Sequence, residues 1–319
     1  MPTRRARIPT GSIRAVDLAE RVTGSALGLA LGDALGAPFE FLRGRNVPQP
    51  LPALELPWMD LPPGSTTDDT AMARTLMRSL AERGGLDAED LLRRHVEWID
   101  SDPPDVGSLT GRVLRRAARG EDAVAVAREV WEQRGPEVSA GSGSVMYCAP
   151  LGVAYAHRPG LLLRLAPTLS ALTHHDERCR TAVLAVTLAV AALVRGEPAE
   201  AAAASALGAT ADRAGGEELE FLVEAVGRSR PIDGPDQGFC LFTAAVAFQA
   251  LLRDGDAEAE LRRVVGLGGD TDSNAAVAGA LLGARDGEGG LPPVWLQRLR
   301  ERDAIRDEAL ALVPLAEQR

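Results

Sequence analysis

Three observations predict an all-α protein. Ala, Leu and Gly dominate, and Ala and Leu head the helix-propensity scale. Apolar residues recur at three- and four-residue steps, while few stretches are β-branched and alternating. Aromatic residues are only 4% of the 319, against 45% hydrophobic residues overall, so the core must be built from small side chains with helices in close contact. The length suits one large domain or two of ordinary size. No composition break or internal repeat divides the chain. A single domain over residues 15–319 is expected, preceded by a flexible leader over residues 1–14.

Residues 15–35 read as the first helix, with Val16, Ala19, Val22, Ala26, Leu27, Ala30 and Leu31 in helical register. Gly24, Gly28 and Gly32 add a stripe of small residues at four-residue spacing. Such a stripe lets a second backbone approach, which marks this helix as central and buried. Pro38 stops it. Residues 43–64 carry six prolines, Pro48 to Pro63, and read as a long surface loop, a length often tied to function. Helices are expected at 68–83 and 88–100, then, after a Pro/Gly/Ser loop at 101–110, at 112–119 and 121–134. A flexible loop at 135–144 leads into a short apolar helix from about Val145. Further helices are expected at 160–172, 176–195, 198–213, 216–228, 238–253, 257–265, 273–285 and 293–312. A polar loop spans 229–237.

The net charge is −10 and every basic residue is Arg. An acidic surface argues against nucleic acid and anionic membranes as partners. No apolar stretch reaches the ~18 residues of a spanning helix, and the basic N-terminus lacks the apolar segment of a signal peptide. Cys148, Cys179 and Cys240 show no Cys-x-x-Cys spacing and fit packing roles in a reducing, cytoplasmic compartment.

Two acidic clusters carry the chemistry. Ser65-Thr66-Thr67-Asp68-Asp69-Thr70 opens one predicted helix, and Gly268-Gly269-Asp270-Thr271-Asp272-Ser273-Asn274 opens another. Helix capping explains either cluster alone, at roughly 0.5–2 kcal/mol. The surplus of oxygens around each points further. If folding joins them, four carboxylates lie together, and bare carboxylates repel until some protonate. Two divalent cations balance the four charges. The donors are all oxygens, which suits Mg²⁺, Mn²⁺ or Ca²⁺ better than Zn²⁺. Metals about 3.5–4 Å apart can activate water and hold substrate oxygens.

These clusters, with Gly32-Asp33-Ala34-Leu35-Gly36, Glu40, Asp105-Val106-Gly107, Thr110, Gly141-Ser142-Gly143-Ser144-Val145-Met146 and Thr173-His174, resemble the ADP-ribosylglycohydrolases. The resemblance runs from about Val22 to Gly283. It implies a large orthogonal helical bundle, expected as a monomer, with a binuclear site for two Mg²⁺ or Mn²⁺ ions. Thr67, Asp68, Asp69, Asp270, Asp272 and Ser273 are the implied metal ligands. The implied substrate carries ADP-ribose on a protein side chain or a small molecule. Its distal ribose hydroxyls lie on the metals, beside the scissile C1″ bond.

The expected reaction is hydrolysis through an oxocarbenium-like transition state. Glu40, Asp69 or Asp270 serves as base, each acid–base step contributing ~10²–10⁴ in rate. Glu40 is implied to sit on a mobile loop, with the Pro-rich stretch as a lid. Gly141, Ser142, Gly143 and Ser144 would line the diphosphate, with His174 and Gly268 also contacting substrate. Phe39, Phe41, Tyr147 and Tyr155 are candidates to stack on adenine. Ser142 stands where the family has Asn, and Tyr147 where it has Arg, which implies rearranged diphosphate contacts. Two other readings stay open: a non-catalytic ADP-ribose-binding relative, and a hydrolase of another ribosyl metabolite.

Overall fold

The computed structural model describes residues 16–135, 138–213, 216–227, 234 and 237–319. The expected leader at 1–14 and most of the loop at 229–237 lie outside the described residues. Among the described residues the regular structure is sixteen α-helices with short 3-10 turns, and pairing between extended segments is limited to three isolated bridges.

In chain order the helices are α1 (Leu18–Gly36), α2 (Asp68–Arg83), α3 (Ala88–Asp100), α4 (Ser108–Ala117), α5 (Ala123–Arg134), α6 (Ala149–Ala154), α7 (Pro159–Ala171) and α8 (Glu177–Val194). They continue as α9 (Ala199–Ala211), α10 (Gly216–Gly227), α11 (Cys240–Leu252), α12 (Ala257–Gly266), α13 (Thr271–Asp286), α14 (Pro293–Arg298), α15 (Arg302–Leu310) and α16 (Val313–Ala316). No helix among the described residues is long and apolar enough to cross a membrane.

Helices α1, α8, α11 and α13 are the interior of the molecule. Nearly every residue of α13 and of the last three-quarters of α1 is buried. A helix apolar on all faces must be surrounded by protein, and their Ala/Gly/Val-rich sequences leave no polar face to expose. One apolar cluster runs through these helices from Val22 to Ala316, and a smaller one joins α4 to α5 through Val113, Val126 and Val130.

The closest contact in the fold is between α1 and α13, which run antiparallel. A Cβ on Gly28 would lie 2.1 Å from the Gly279 carbonyl oxygen, and one on Gly32 only 1.9 Å from that of Ala275. Only glycine permits this approach. The stripe read from the sequence therefore finds its partner in Ala275, Gly279 and Gly283, spaced four apart on α13. At the site end, Thr271 Oγ1 donates to the Gly36 carbonyl at 2.8 Å. This contact fixes the C-terminus of α1 beside the N-terminus of α13.

The Pro-rich segment at 43–64 is the expected loop, mostly exposed, and it is anchored where Val47, Leu51, Ala53, Leu54 and Trp58 are buried. Arg262 from α12 and Arg298 from α14 donate to its Leu51 and Ala53 carbonyls, at 2.6 and 2.9 Å. Several helix boundaries are corrected. Helix α4 begins four residues before the expected 112, because Gly107 accepts from Gly111 N–H at 2.8 Å and starts the turn at Ser108. The helix expected from Val145 begins at Ala149, with Pro150 in its first turn. The helix expected at 293–312 breaks at Leu299–Glu301, where Leu299 is extended and Glu301 is left-handed at φ 53°. There Arg300 N–H turns away to the Gly64 carbonyl at 2.9 Å.

Candidate active site

Asp33, near the C-terminal end of α1, organises the site from behind. Its buried carboxylate accepts the Thr67 N–H at 3.0 Å, the Thr70 N–H at 3.1 Å and the Thr70 hydroxyl at 2.5 Å. These N–H groups belong to the open N-terminal end of α2, which has no partners within the helix. Thr67 caps the same end, its Oγ1 accepting the Asp69 N–H at 3.3 Å. One side chain of α1 thus sets the angle at which α2 presents Asp68 and Asp69. Burial raises the Asp33 carboxyl to about 6, with its hydrogen bonds acting against that rise.

The two acidic helix starts meet. Ser273 Oγ of α13 donates to Asp69 Oδ1 at 3.4 Å. Carboxylate oxygens of Glu40, Asp270 and Asp272 lie within 4.8 Å of one another. Glu40 is placed by backbone pairing next to it: Phe41 N–H donates to the Gly269 carbonyl at 2.7 Å, and Gly269 N–H returns a bond to Leu42 at 2.8 Å. Gly268 faces this strand-like segment, where a Cβ would meet Gly44 N at 2.4 Å, and does not line the cavity.

This density of carboxyls shifts Glu40, Asp68, Asp69 and Asp272 upward. Glu40 and Asp68 are each pushed to about 8, first by burial and then by neighbours: Asp270 and Asp105 for Glu40, Asp105 for Asp68. Burial drives Asp69 and Asp272 well above the ordinary carboxylate range, with Asp33 and Asp68 adding to the rise of Asp69, and Asp69 and Asp270 to that of Asp272. Two buried oxygens, Asp69 Oδ2 and Asp272 Oδ1, have no hydrogen-bond partner. Orphaned oxygens in an all-oxygen, strongly acidic cluster are what a hard divalent cation requires.

A cavity of about 400 Å³ opens over the cluster. Asp68, Asp69, Asp270, Asp272, Ser273 and Glu40 form its foot. The first turn of α4, Ser108 to Thr110, forms one side. Gly141, Ser142, Gly143 and His174 line the cavity next to that turn, where a Cβ on Gly143 would lie 3.0 Å from Thr110 Oγ1. The turn at 141–144 is pinned rather than loose: Ser142 N–H donates to Gly238 at 2.8 Å, and Cys240 N–H donates to Ala140 at 3.0 Å. Gly143 must lack a side chain, since a Cβ there would lie 2.9 Å from His174 Cε1. Burial lowers His174 to about 4, and its Nδ1 pairs with Thr173 Oγ1 at 2.9 Å. The ring is therefore neutral, with Nε2 toward Gly141 and Gly143.

Two expected site residues stand away from the cavity besides Gly268. Ser144 is buried, its hydroxyl paired with that of Ser170 at 3.0 Å. Thr67 lies behind the cluster as the α2 cap, on a neighbouring cavity. Of the four stacking candidates only Phe41 lines the cavity, with 62% of its surface exposed. Phe39 is in the core, Tyr155 Oη accepts the Leu86 N–H at 2.9 Å, and Tyr147 is fully buried edge-on to His95.

Sequence reading missed Asp105 as a site residue, although it lines the cavity and faces Asp68. Its signal was present, an acid following Pro103-Pro104 and preceding a helix start. Met146 was also passed over; its Sδ accepts from Ser273 Oγ at 3.8 Å.

Ser142 donates its hydroxyl to Asp270 Oδ2 at 2.7 Å. The residue is thus directed at the acidic cluster.

Comparison with known proteins agrees with this architecture. The profile of the ADP-ribosylglycohydrolase family matches residues 14–319. The chain is 31% identical over 304 residues to the ADP-ribosyl-[dinitrogen reductase] glycohydrolase of Rhodospirillum rubrum, covering 93% of this chain and 97% of the relative. It is 26% identical to the ADP-ribosylarginine hydrolase Tri1 of Pseudomonas putida (94% and 79% covered). It is 28% identical to the ADP-ribosylhydrolase ARH3 of Xenopus tropicalis (86% and 89%). A solved structure described as an ADP-ribosylglycohydrolase-related protein complex superposes with a TM-score of 0.77 at 33% identity, covering 94% of this chain and 99% of that one. By sequence across nearly its whole length, and by fold, this chain belongs to the ADP-ribosylglycohydrolase family.

Proposed function

We propose that this protein hydrolyses the C1″ glycosidic bond of an ADP-ribosylated protein or small molecule, releasing ADP-ribose, and that it works with two Mg²⁺ or Mn²⁺ ions. The observation that carries the reading is the meeting of the α2 and α13 carboxylates, with two orphaned oxygens, at the foot of a ligand-sized cavity. The names of the relatives support the reaction class.

Asp68, Asp69, Asp270, Asp272 and Ser273 are the residues that would hold the cations. Bound there, the cations would polarise water and substrate hydroxyls. The cavity lining contains six carboxyl groups and no Arg. An anionic diphosphate enters such a cavity only once cations offset that charge. Its approach is then favoured by the positive end of α4 and by the small residues Gly141 and Gly143. His174, neutral, offers Nε2 to the ligand. Glu40 holds a proton near neutral pH while the cluster is bare, and with cations present it can accept one from water. Asp69 and Asp270 are the alternative acceptors; Asp270 is already engaged through Oδ2 by Ser142.

Incubating the protein with ADP-ribosylated arginine, serine and small-molecule substrates tests this. ADP-ribose release with Mg²⁺ or Mn²⁺, abolished by chelator, is expected. Binding of ADP-ribose without release would identify a non-catalytic relative, and neither would point to another ribosyl metabolite.

The carboxyl shifts also predict a pH dependence. Glu40 rises from 4.5 and Asp68 from 3.8, both to about 8. A carboxyl whose folded value is raised stabilises the fold below its ordinary value, and that contribution is lost as pH climbs toward 8. Chelated protein should therefore melt earlier at pH 8 than at pH 5.5. Saturating Mn²⁺ should offset this, by about 2.7 kcal/mol at a hundred times its Kd, or roughly 4 °C in Tm for this length. Equal Mn²⁺ effects at both pH values in a melting scan would contradict the assignment.

A further inference from the structure

An Asp just before a helix ordinarily turns back and accepts an N–H of the first turn. Asp17, Asp87, Asp122, Asp176 and Asp256 do this at α1, α3, α5, α8 and α12. Asp270 stands at the same position before α13 and makes no such bond. Its Oδ2 accepts the Ser142 hydroxyl at 2.7 Å instead. The cavity wall takes the place of the helix as partner of this carboxylate.

That wall is itself fixed. Residues 140–142 pair antiparallel with 238–240: Ser142 N–H donates to the Gly238 carbonyl at 2.8 Å, Cys240 N–H to the Ala140 carbonyl at 3.0 Å, and Gly141 bridges Phe239. Asp270 Oδ2 also lies against Gly238, where a Cβ would stand 3.3 Å from it. Ser142 is buried, and both of its donors are engaged, the N–H by Gly238 and the hydroxyl by Asp270. A diphosphate offers only acceptors, so Ser142 has no donor left for one.

We propose that Ser142 is a positioning residue of the cation site and not a contact of the ADP-ribosyl group. It holds Asp270 by Oδ2 and leaves Oδ1 for a cation. The proposal rests on the cation-dependent hydrolase reading above. A carboxylate on a single helix end can rotate about its side-chain bonds, and binding a cation must then fix it. Here the hydroxyl fixes it beforehand. Asp69 Oδ2 and Asp272 Oδ1 are the orphaned oxygens of the cluster, whereas Asp270 already has one oxygen satisfied from outside it. With Oδ1 on a cation and Oδ2 on Ser142, Asp270 serves as a ligand, and the proton acceptor is Glu40 or Asp69.

Calorimetry with Mn²⁺ alone, without nucleotide, tests this. Losing the outer partner of a metal ligand typically weakens metal binding by about 10–100-fold. Ser142→Ala is therefore expected to bind Mn²⁺ about tenfold more weakly, while Ser142→Thr, which keeps the hydroxyl, stays within about threefold of wild type. Ala removes only the hydroxyl, so the Tm in chelator should not fall. ADP-ribose affinity at saturating Mn²⁺ should stay within about twofold of wild type in Ser142→Ala.

Unchanged Mn²⁺ affinity in Ser142→Ala overturns the proposal and leaves the hydrolase reading standing; if ADP-ribose then binds more weakly, Ser142 is a ligand contact. A lower chelated Tm in Ser142→Ala, or a Thr variant as weak as the Ala variant, makes the shape of the turn the cause and overturns the proposal too. Wild type that takes up no Mn²⁺ overturns the cation reading and the proposal together. Wild type that binds Mn²⁺ but releases ADP-ribose from no substrate overturns hydrolysis alone.

Discussion

Asp272→Asn is expected to lower turnover by at least about 10³-fold and to remove the rise in Tm that Mn²⁺ gives the wild type. Asp272 is buried at the first turn of α13, with Oδ1 unpaired and its carboxyl raised by burial and by Asp69. Asn keeps the shape and removes the charge. In chelator the variant should therefore be no less stable than wild type at pH 8, because a strained carboxylate has gone. Asp270→Asn should behave similarly in turnover and additionally weaken the acceptor for Ser142 Oγ. The combination separates a ligand role from a structural one: lost activity with an unchanged metal-free Tm. Full activity in either variant would overturn the site assignment.

Gly28→Leu is the second large effect, on stability rather than chemistry. A Cβ at Gly28 would overlap the Gly279 carbonyl at 2.1 Å, and the neighbouring atoms are backbone, which cannot swing aside. Overpacking costs typically 1–3 kcal/mol and more where backbone must move, so a loss of about 3 kcal/mol or more is expected. Because α13 carries Asp270 and Asp272, any separation of α1 from α13 also moves these carboxylates away from Asp69 and Glu40. A reduced urea midpoint together with weaker Mn²⁺ binding is the expected pair of results. A midpoint equal to that of wild type would show that the two backbones are not in contact there.

The same contact shows where sequence reading succeeded and where it stopped. The Gly24-Gly28-Gly32 stripe was visible as a four-residue pattern, and it correctly marked a buried helix. Its partner was not visible, because Ala275, Gly279 and Gly283 lie in an Ala/Gly-rich run where any register looks alike. The acidic clusters were legible for a chemical reason: adjacent carboxylates and hydroxyls at helix starts exceed what capping requires. Asp105 was not singled out, because its significance comes from facing Asp68 across a loop. The Pro-rich segment was legible as a surface loop from its prolines, but its anchoring was not, because Arg262 and Arg298, which hold its Leu51 and Ala53 carbonyls, lie far along the chain.

By itself the sequence determined the helical class, the central helix and the composition of the acidic clusters, since these depend on local periodicity and residue chemistry. The tertiary structure decided which carboxylates share one site, because that depends on a backbone contact between α1 and α13 and on Asp33 gripping α2. It also decided where Ser142 and Tyr147 point. Ser142 reaches Asp270 because the 141–144 turn is pinned to Gly238 and Cys240, and Tyr147 turns into the core against His95. No local pattern encodes either direction; both follow from how distant segments pack.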